Sequence, residues 1–259
     1  WVLAGPMAVQ VDISDPARPR EVVRVWVGSR EEKARPLALA GGKLWLASER
    51  GSVLALDTAD PLKPEALQVH DPLESATGRV LALLGRGDRL YLLGHRPNLP
   101  ESEDVQYHNE LLVFRAGRSL DPVLEQRRPL PLYGSQAPSP VSLHWDEDRL
   151  WAHLGGRSWV SWRLDGERLD PGVEGTTLGC HHPTAKRIRR QRLYISCSTG
   201  FSDNLAPMVI DLSRPPVFPV LAAGSIGYGD PGLYSPASVL MGDSFWISNQ
   251  AGEWRGLDL

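Results

Sequence analysis

One short phrase recurs along the chain and limits its fold more than any other feature. "GGKLWLAS" (41–48) returns as "GDRLYLLG" (87–94), "EDRLWAHL" (147–154), "RQRLYISC" (190–197) and "GDSFWISN" (242–249). Each copy reads as a tight turn, an apolar residue, an aromatic and then more strand, with a cation before the apolar residue in all but the last. Aligned on the aromatic, Trp45, Tyr91, Trp151, Tyr194 and Trp246 are spaced by 46, 60, 43 and 52 residues, and Trp1 precedes Trp45 by 44. A second strand follows every copy: "MAVQVDIS", "GSVLALDT", "NELLVFRA", "SWVSWRLD", "APMVIDLS" and "EWRGLDL", with Asp12, Asp57, Asp165, Asp211 and Asp258 closing five of the six.

A period in the forties with about four short strands per unit is the pattern of a β-propeller. The second unit shows all four: strand a is "PLALA", "GGK" turns it, strand b is "LWLAS", strand c is "SVLALDT", and strand d is "EALQVH" after the turn "ADPLKP". The fold expected is all-β, a six-bladed β-propeller of four-stranded antiparallel blades, with seam blades either complete or short of a strand. One domain, 1–259, carries blades at approximately 1–28, 34–71, 78–131, 139–178, 182–226 and 235–259. A blade cannot bury both its faces alone, so it stacks on its neighbours. The six aromatics are expected to fill the wedges between blades, each burial worth roughly 1.5–3 kcal/mol.

Composition agrees. Pro (22) and Gly (25) are abundant and apolar runs are short, as in all-β proteins rich in turns. A net charge of -3 argues against a nucleic-acid partner. No run approaches the roughly 18 apolar residues of a membrane span. The opening "WVLAG" fits a mature or trimmed N-terminus. The chain starts at a b strand and stops at a c strand, so strand d of the last blade and strand a of the first are expected either outside residues 1–259 or missing from a thin seam.

The c–d turns carry a second signal. "VDISDPARPREV" (11–22), "LDTADPLKPEAL" (56–67) and "IDLSRPPVFPVL" (210–221) share an Asp followed by Pro-x-x-Pro. Asp favours local turn hydrogen bonds, and Pro ends a strand sharply. With "ARPLALAGGKLWLAS" (34–48), these residues resemble the LVIVD-repeat family of bacterial propellers. The turn is clear in three units; "VFRAGRSLDP" and "WRLDGERLDP" read as longer Gly turns. The resemblance implies an exported or surface-exposed bacterial protein, in the periplasm or on the cell surface, and no single activity.

In such a fold the b–c and d–a connections emerge at one face, and the unusual segments fall there: 95–109, 133–140, 179–183, 198–207 and 227–236. The binding face is expected to include His95, Tyr107, His108, His181, His182, Phe201, Asp203, Tyr228 and Tyr234. Cys180 and Cys197 are expected to form a disulfide and hence to mark an oxidising compartment, with two buried thiols as the alternative. His144, Asp146, Glu147, His95 and His108 stand at no metal-ligand spacing, so no metal and no other cofactor is expected. "KRIRRQR" (186–192) reads as a solvated hairpin end, "ESED" (101–104) as a solvated loop, and "DED" (146–148) as turn formers.

No GxSxG, phosphate loop or GxGxxG is present, and no catalytic residue is assigned. The expected function is a non-catalytic scaffold or protein–protein interaction module of a cell-surface or envelope assembly. Its partner is expected to be another protein or a surface polymer. The alternatives are a metal-dependent, lactonase-like propeller hydrolase and a glycan-binding module. The hydrolase needs a ring of acids at the starts of the a strands, where Pro36, Arg79, Pro140, Pro183 and Pro236 are expected.

Overall fold

Strand b is where the physics of this chain is most legible. "KLWLA" is apolar at successive positions, so it has no face to give to water and must be covered on both sides. In the computed structural model every residue of that strand is buried. The structure describes residues 2–4, 7–15, 17–26, 35–47, 52–58, 65–70, 72, 78–97, 107–116, 122–130, 142–154, 158–165, 168–170, 173–177, 182–198, 205–223, 238–241, 244–248 and 254–258. All regular structure among them is β, with no helix long and apolar enough to cross a membrane.

The described residues form six sheets, built from strands consecutive in the chain except that one short strand, Val217–Phe218, joins the fourth sheet rather than the fifth. They group into two compact units, Trp1–Ser135 and Gln136–Leu259. In the first unit, sheet 1 holds β1 (Val2–Ala4), β2 (Met7–Asp12) and β3 (Arg20–Trp26). Sheet 2 holds β4 (Arg35–Ala40), β5 (Lys43–Ala47), β6 (Val53–Asp57) and β7 (Glu65–His70). Sheet 3 holds β8 (Arg79–Arg86), β9 (Arg89–Pro97), β10 (Tyr107–Arg115) and β11 (Val123–Leu130).

In the second unit, sheet 4 holds β12 (Ser142–Asp146), β13 (Arg149–His153), β14 (Ser158–Asp165), the short β15 (Arg168–Leu169) and β16 (Val173–Thr177). Sheet 5 is built on β17 (His182–Arg189), β18 (Arg192–Ser198) and β19 (Leu205–Asp211). The segment that follows gives β20 (Val217–Phe218) and β21 (Val220–Ala223). Sheet 6 holds β22 (Ser238–Met241), β23 (Ser244–Ser248) and β24 (Trp254–Asp258).

Three of the recurring aromatics fill wedges between sheets. Trp45 is fully buried with Leu83, Leu90, Leu92 and Phe114 of sheet 3. Trp151 packs with Leu193, Ile195 and Ile210 of sheet 5. Tyr194 meets Phe245 of sheet 6 at 5.6 Å. Each ring thus points at the sheet that follows it in the chain. Tyr91 is buried as well, which pushes its phenol pKa up. Trp246 is only partly buried, its neighbour Phe245 being the fully buried ring, and Trp1 lies outside the described residues. The opposite face of sheet 2, Leu44, Leu46 and Leu56, packs on Ala8 of sheet 1.

Neighbouring a strands approach closely. A Cβ on Gly85 would lie 1.7 Å from the carbonyl oxygen of Leu39, so β4 and β8 meet backbone to backbone only because residue 85 is glycine. The hairpin tips touch too: Gly41 N–H donates to the Gly87 carbonyl at 2.8 Å. In the second unit a carboxylate makes the equivalent link. Asp146 accepts the N–H groups of Arg190 at 2.6 Å and Gln191 at 2.5 Å, joining the β12–β13 hairpin to the β17–β18 hairpin. Arg190 and Gln191 have φ of 50° and 58°, the left-handed turn that a two-residue hairpin needs but that side chains disfavour. Two N–H groups aimed at one anion offset that strain.

Three of the a–b hairpins are closed the same way at the third strand. Ala116, Leu164 and Leu212 donate their N–H groups to the carbonyls of Asp88, Asp148 and Gln191, the second turn residue in each case. In sheet 2 the Thr58 hydroxyl donates to the Gly42 carbonyl. All five aspartates, Asp12, Asp57, Asp165, Asp211 and Asp258, end their second strand as expected, but they do not share one register. Asp57, Asp211 and Asp258 face the first residue of strand b, but in sheet 4 that place belongs to Arg163, opposite Arg149, and Asp165 lies two residues on, opposite Arg168. In sheet 3 the place belongs to Arg115, opposite Arg89.

Two cations facing each other need an acid. Glu125 supplies it in sheet 3, bonding Arg89 at 2.8 Å and Arg115 at 2.5 Å; Asp148 bonds Arg163 at 2.8 Å in sheet 4. Burial acts on Glu125 to raise its pKa, but the bonds to Arg89 and Arg115 outweigh it and hold the carboxyl below its usual range.

Sheet 4 gains a strand that the repeat pattern does not contain. β20, from the segment read as a c–d turn of the next unit, pairs parallel with β16. Pro215 and Pro216 have no N–H to place in a ladder, while the Pro216 carbonyl accepts the Thr176 N–H at 2.8 Å. Phe218 then fills the place a side chain at Gly175 would occupy and meets Trp151 edge-on at 6.0 Å. The c–d connection of sheet 3 also differs from expectation: 116–122 is seven residues, the same as 13–19 and 58–64, so its Gly turn is not longer.

Replacing Gly85 by Ala is expected to lower stability by about 1–3 kcal/mol in denaturant titrations, since backbone must move to admit the methyl. Gln191→Gly is expected to be neutral or stabilising by up to about 1 kcal/mol, because it removes left-handed strain at a turn that Asp146 still holds. Glu125→Gln is expected to cost about 1–2 kcal/mol at neutral pH. Because the folded pKa of Glu125 is depressed, this contribution exists above the ordinary carboxylate range and is lost as pH falls through the folded value. The wild-type and variant stability curves should therefore converge in acid.

Candidate functional site

The two ends of the sheets differ in how regular their connections are. At the a–b and c–d end, the five a–b turns are two residues each, and the first three c–d connections are seven each. At the b–c and d–a end, the connections range from two residues (5–6) to fourteen (224–237). Variation concentrated at one end of a rigid framework is how loops acquire binding roles. In each unit that end is the candidate site.

In the first unit the site is centred on sheet 3. His95 is the seventh residue of β9, partly buried, and its Nδ1–H donates to Asn109 Oδ1 at 2.7 Å across the ladder. That bond fixes the orientation of the imidazole. Tyr107 and His108 lie in β10, opposite Pro97 and Arg96. The segment 95–109, expected as a loop, is therefore strand at both ends, and only 98–106 lies between the paired residues. Next to this, Glu110 is buried, paired with Arg127 at 3.5 Å.

In the second unit a group appears that sequence reasoning did not assemble. Ser142, His153 and Trp159 face one another across β12, β13 and β14 at the loop end of sheet 4, and His144 lies on the same face. His153 is fully buried, with its ring 4.7 Å from Trp159. His144 Nε2 lies 2.9 Å from Ser142 Oγ. The only signal in the sequence was the alternation of these residues along three adjacent strands, which needs the register to be recognised. His144 and Asp146, weighed as metal candidates, share β12, but Asp146 is occupied with the Arg190 and Gln191 N–H groups and Glu147 sits in the turn. Among the described residues no three His, Cys, Asp or Glu side chains gather into a metal-holding group.

The remaining candidates are placed as follows. His182 begins β17, opposite Ser198, and Cys197 lies in β18 opposite Pro183 and Ala206. Cys180, His181, Phe201, Asp203, Tyr228 and Tyr234 lie outside the described residues. The a strands start at Arg35, Arg79, Ser142, His182 and Ser238, within two residues of the expected positions, and none is a carboxylate.

Searches of family models and of curated proteins find no match. Solved structures do match. Over 98% of this chain and 77% of its own length, Sqt1 of Saccharomyces cerevisiae superposes with a TM-score of 0.57 at 11% identity. Sqt1 is a propeller-type structure.

The fold is a β-propeller.

A chain of a mitotic checkpoint complex (TM-score 0.46, 11% identity, 95% of this chain and 79% of that) and BamB from Moraxella catarrhalis (0.45, 12%, 92% and 77%) also align. At this identity the likeness to Sqt1 establishes the propeller architecture and no activity. Within this propeller, truncating His153 to Ala is expected to cost about 2–4 kcal/mol, as for other large buried side chains. Asn109→Ala is expected to cost under about 1 kcal/mol, since the His95 ring it orients reaches solvent. Thermal unfolding of the two variants checks both.

Proposed function

We propose that this chain is a non-catalytic interaction module, a propeller that holds a partner protein at its b–c and d–a end as part of a cell-surface or envelope assembly. The observation that carries this reading is the contrast between the invariant two-residue a–b turns and the connections of 98–106, 131–141 and 224–237 at the opposite end. A framework whose one end is uniform and whose other end varies suits the display of a binding surface.

The finer reading is a six-bladed, LVIVD-type propeller placed outside the cytoplasm. Asp12 and Asp211 support the family pattern. The Asp12 carboxylate accepts the Ser14 N–H at 2.9 Å, and Asp211 accepts the hydroxyl and N–H of Ser213 at 2.6 and 2.9 Å. These bonds hold both carboxyls below their usual range, and they are local turn bonds of the kind the "VDISDP" motif needs. Export is supported by the pair Cys180 and Cys197, proposed here to be a disulfide.

Two measurements test the proposal. An intact-mass thiol count should find no free thiol in the native protein; two free thiols would sink the exported reading. Residues 98–106 replaced by Asn-Gly should leave the circular dichroism spectrum unchanged. Partner crosslinks formed by the intact chain in its native cells should then be lost. Retention of every crosslink, or turnover of a lactone panel by the wild type, would reject the non-catalytic scaffold.

A further inference from the structure

A polar atom shut into the wedge between two sheets needs a partner inside it, because bulk solvent no longer reaches it. Two such atoms of the second unit find none in the protein. Trp151 Nε1 and Ser161 Oγ are buried without a hydrogen-bond partner, on residues that are 1% and 0% exposed. The two residues stand directly opposite each other on β13 and β14. Their side chains therefore leave the same face of sheet 4, the one that packs Trp151 onto sheet 5.

The other sheets show what is particular about this pair. Trp45, at the same place in sheet 2, donates its Nε1–H to the Ala40 carbonyl at 3.1 Å. Ala40 lies two residues beyond Ala38, which faces Trp45. In sheet 4 the matching carbonyl belongs to Asp146, two residues beyond His144, and Trp151 makes no bond to it. Its ring meets Phe218 edge-on instead. The strand c residue that faces the aromatic is Ala55 in sheet 2, Val113 in sheet 3, Val209 in sheet 5 and Gly256 in sheet 6. Among these five positions it is polar only in sheet 4, where it faces a tryptophan whose N–H has no acceptor in the protein.

We propose that an internal water molecule binds between Trp151 and Ser161, accepting the indole N–H and hydrogen-bonding the hydroxyl. An indole N–H only donates, while a hydroxyl donates and accepts, so one water complements both. Internal waters take up buried polar groups that the protein itself leaves unpaired. Serine has one branch fewer than the valines at this place in sheets 3 and 5, which gives the water room beside the ring. Leu193, Ile195 and Ile210, packed on Trp151 from sheet 5, are apolar. They hold the water by exclusion and add no polar side chain, so the site depends on Trp151 and Ser161. It does not rest on the function proposed above.

The test compares the whole 259-residue chain with Ser161→Val and with Trp151→Phe. The first replaces the hydroxyl by the side chain that Val113 and Val209 already carry; the second removes the N–H and keeps an aromatic in the wedge. High-resolution crystal structures locate the water, and magnetic relaxation dispersion of the water signal counts long-lived internal waters in solution. The wild type is expected to show an ordered water within about 3.2 Å of both atoms. Both variants are expected to fold, to lose that water and to hold fewer long-lived waters in solution than the wild type. A direct bond from Trp151 Nε1 to Ser161 Oγ, with no water between them, overturns the proposal. A water that persists at this place in Ser161→Val overturns it too, as does an unchanged number of long-lived waters in both variants.

Discussion

Everything in this structure depends on covering strand b from both sides. A strand apolar at successive positions is insoluble as the middle of a lone sheet, and pairing within the sheet does nothing for its faces. The wedge left between two twisted sheets is wide at one place, and a Trp or Tyr fills it. Trp45, Trp151 and Tyr194 each do so toward the sheet that follows. Stacking buries the repeated phrase, which is why sheets 2 and 3, and sheets 4, 5 and 6, pack on their neighbours within each unit.

Stacking in turn requires the inner strands to converge, and the chain meets that demand by different chemistry in its two units. In the first, Gly85 removes the side chain that would strike Leu39, and the tips of two glycine-containing turns share a backbone hydrogen bond. In the second, Asp146 reaches across to two N–H groups of a turn that contains no glycine. Charge is distributed with similar economy. Where the cross-strand position pairs Lys43 with Asp57 or Arg192 with Asp211, the signs already match; where it pairs two arginines, Glu125 or Asp148 is placed beside them. These are local solutions to one geometric constraint, and they explain why the turn end is uniform while the other end is free to vary.

How far the site could be read in advance follows the same division. That His95, Tyr107 and His108 belong to one hairpin was legible because they lie close in the chain, and the register sets His95 opposite Asn109. Ser142, His144, His153 and Trp159 were not legible as a group, because their meeting depends on which residues of three strands stand opposite one another. A single-residue slip would turn every one of them to the other face. β20 escaped notice for a related reason: two prolines and a short apolar pair look like a turn until a neighbouring sheet offers them an edge.

The amino-acid sequence by itself determined the all-β class, the repeating unit, the burial of Trp45, Tyr91, Trp151 and Tyr194 and the Asp-centred turns, since these rest on periodicity and on bonds between residues close in the chain. Tertiary structure alone decided the Asp146 latch, the parallel strand borrowed by sheet 4 and the arginine pair bridged by Glu125. Those features join residues far apart in sequence, which leaves no periodic trace.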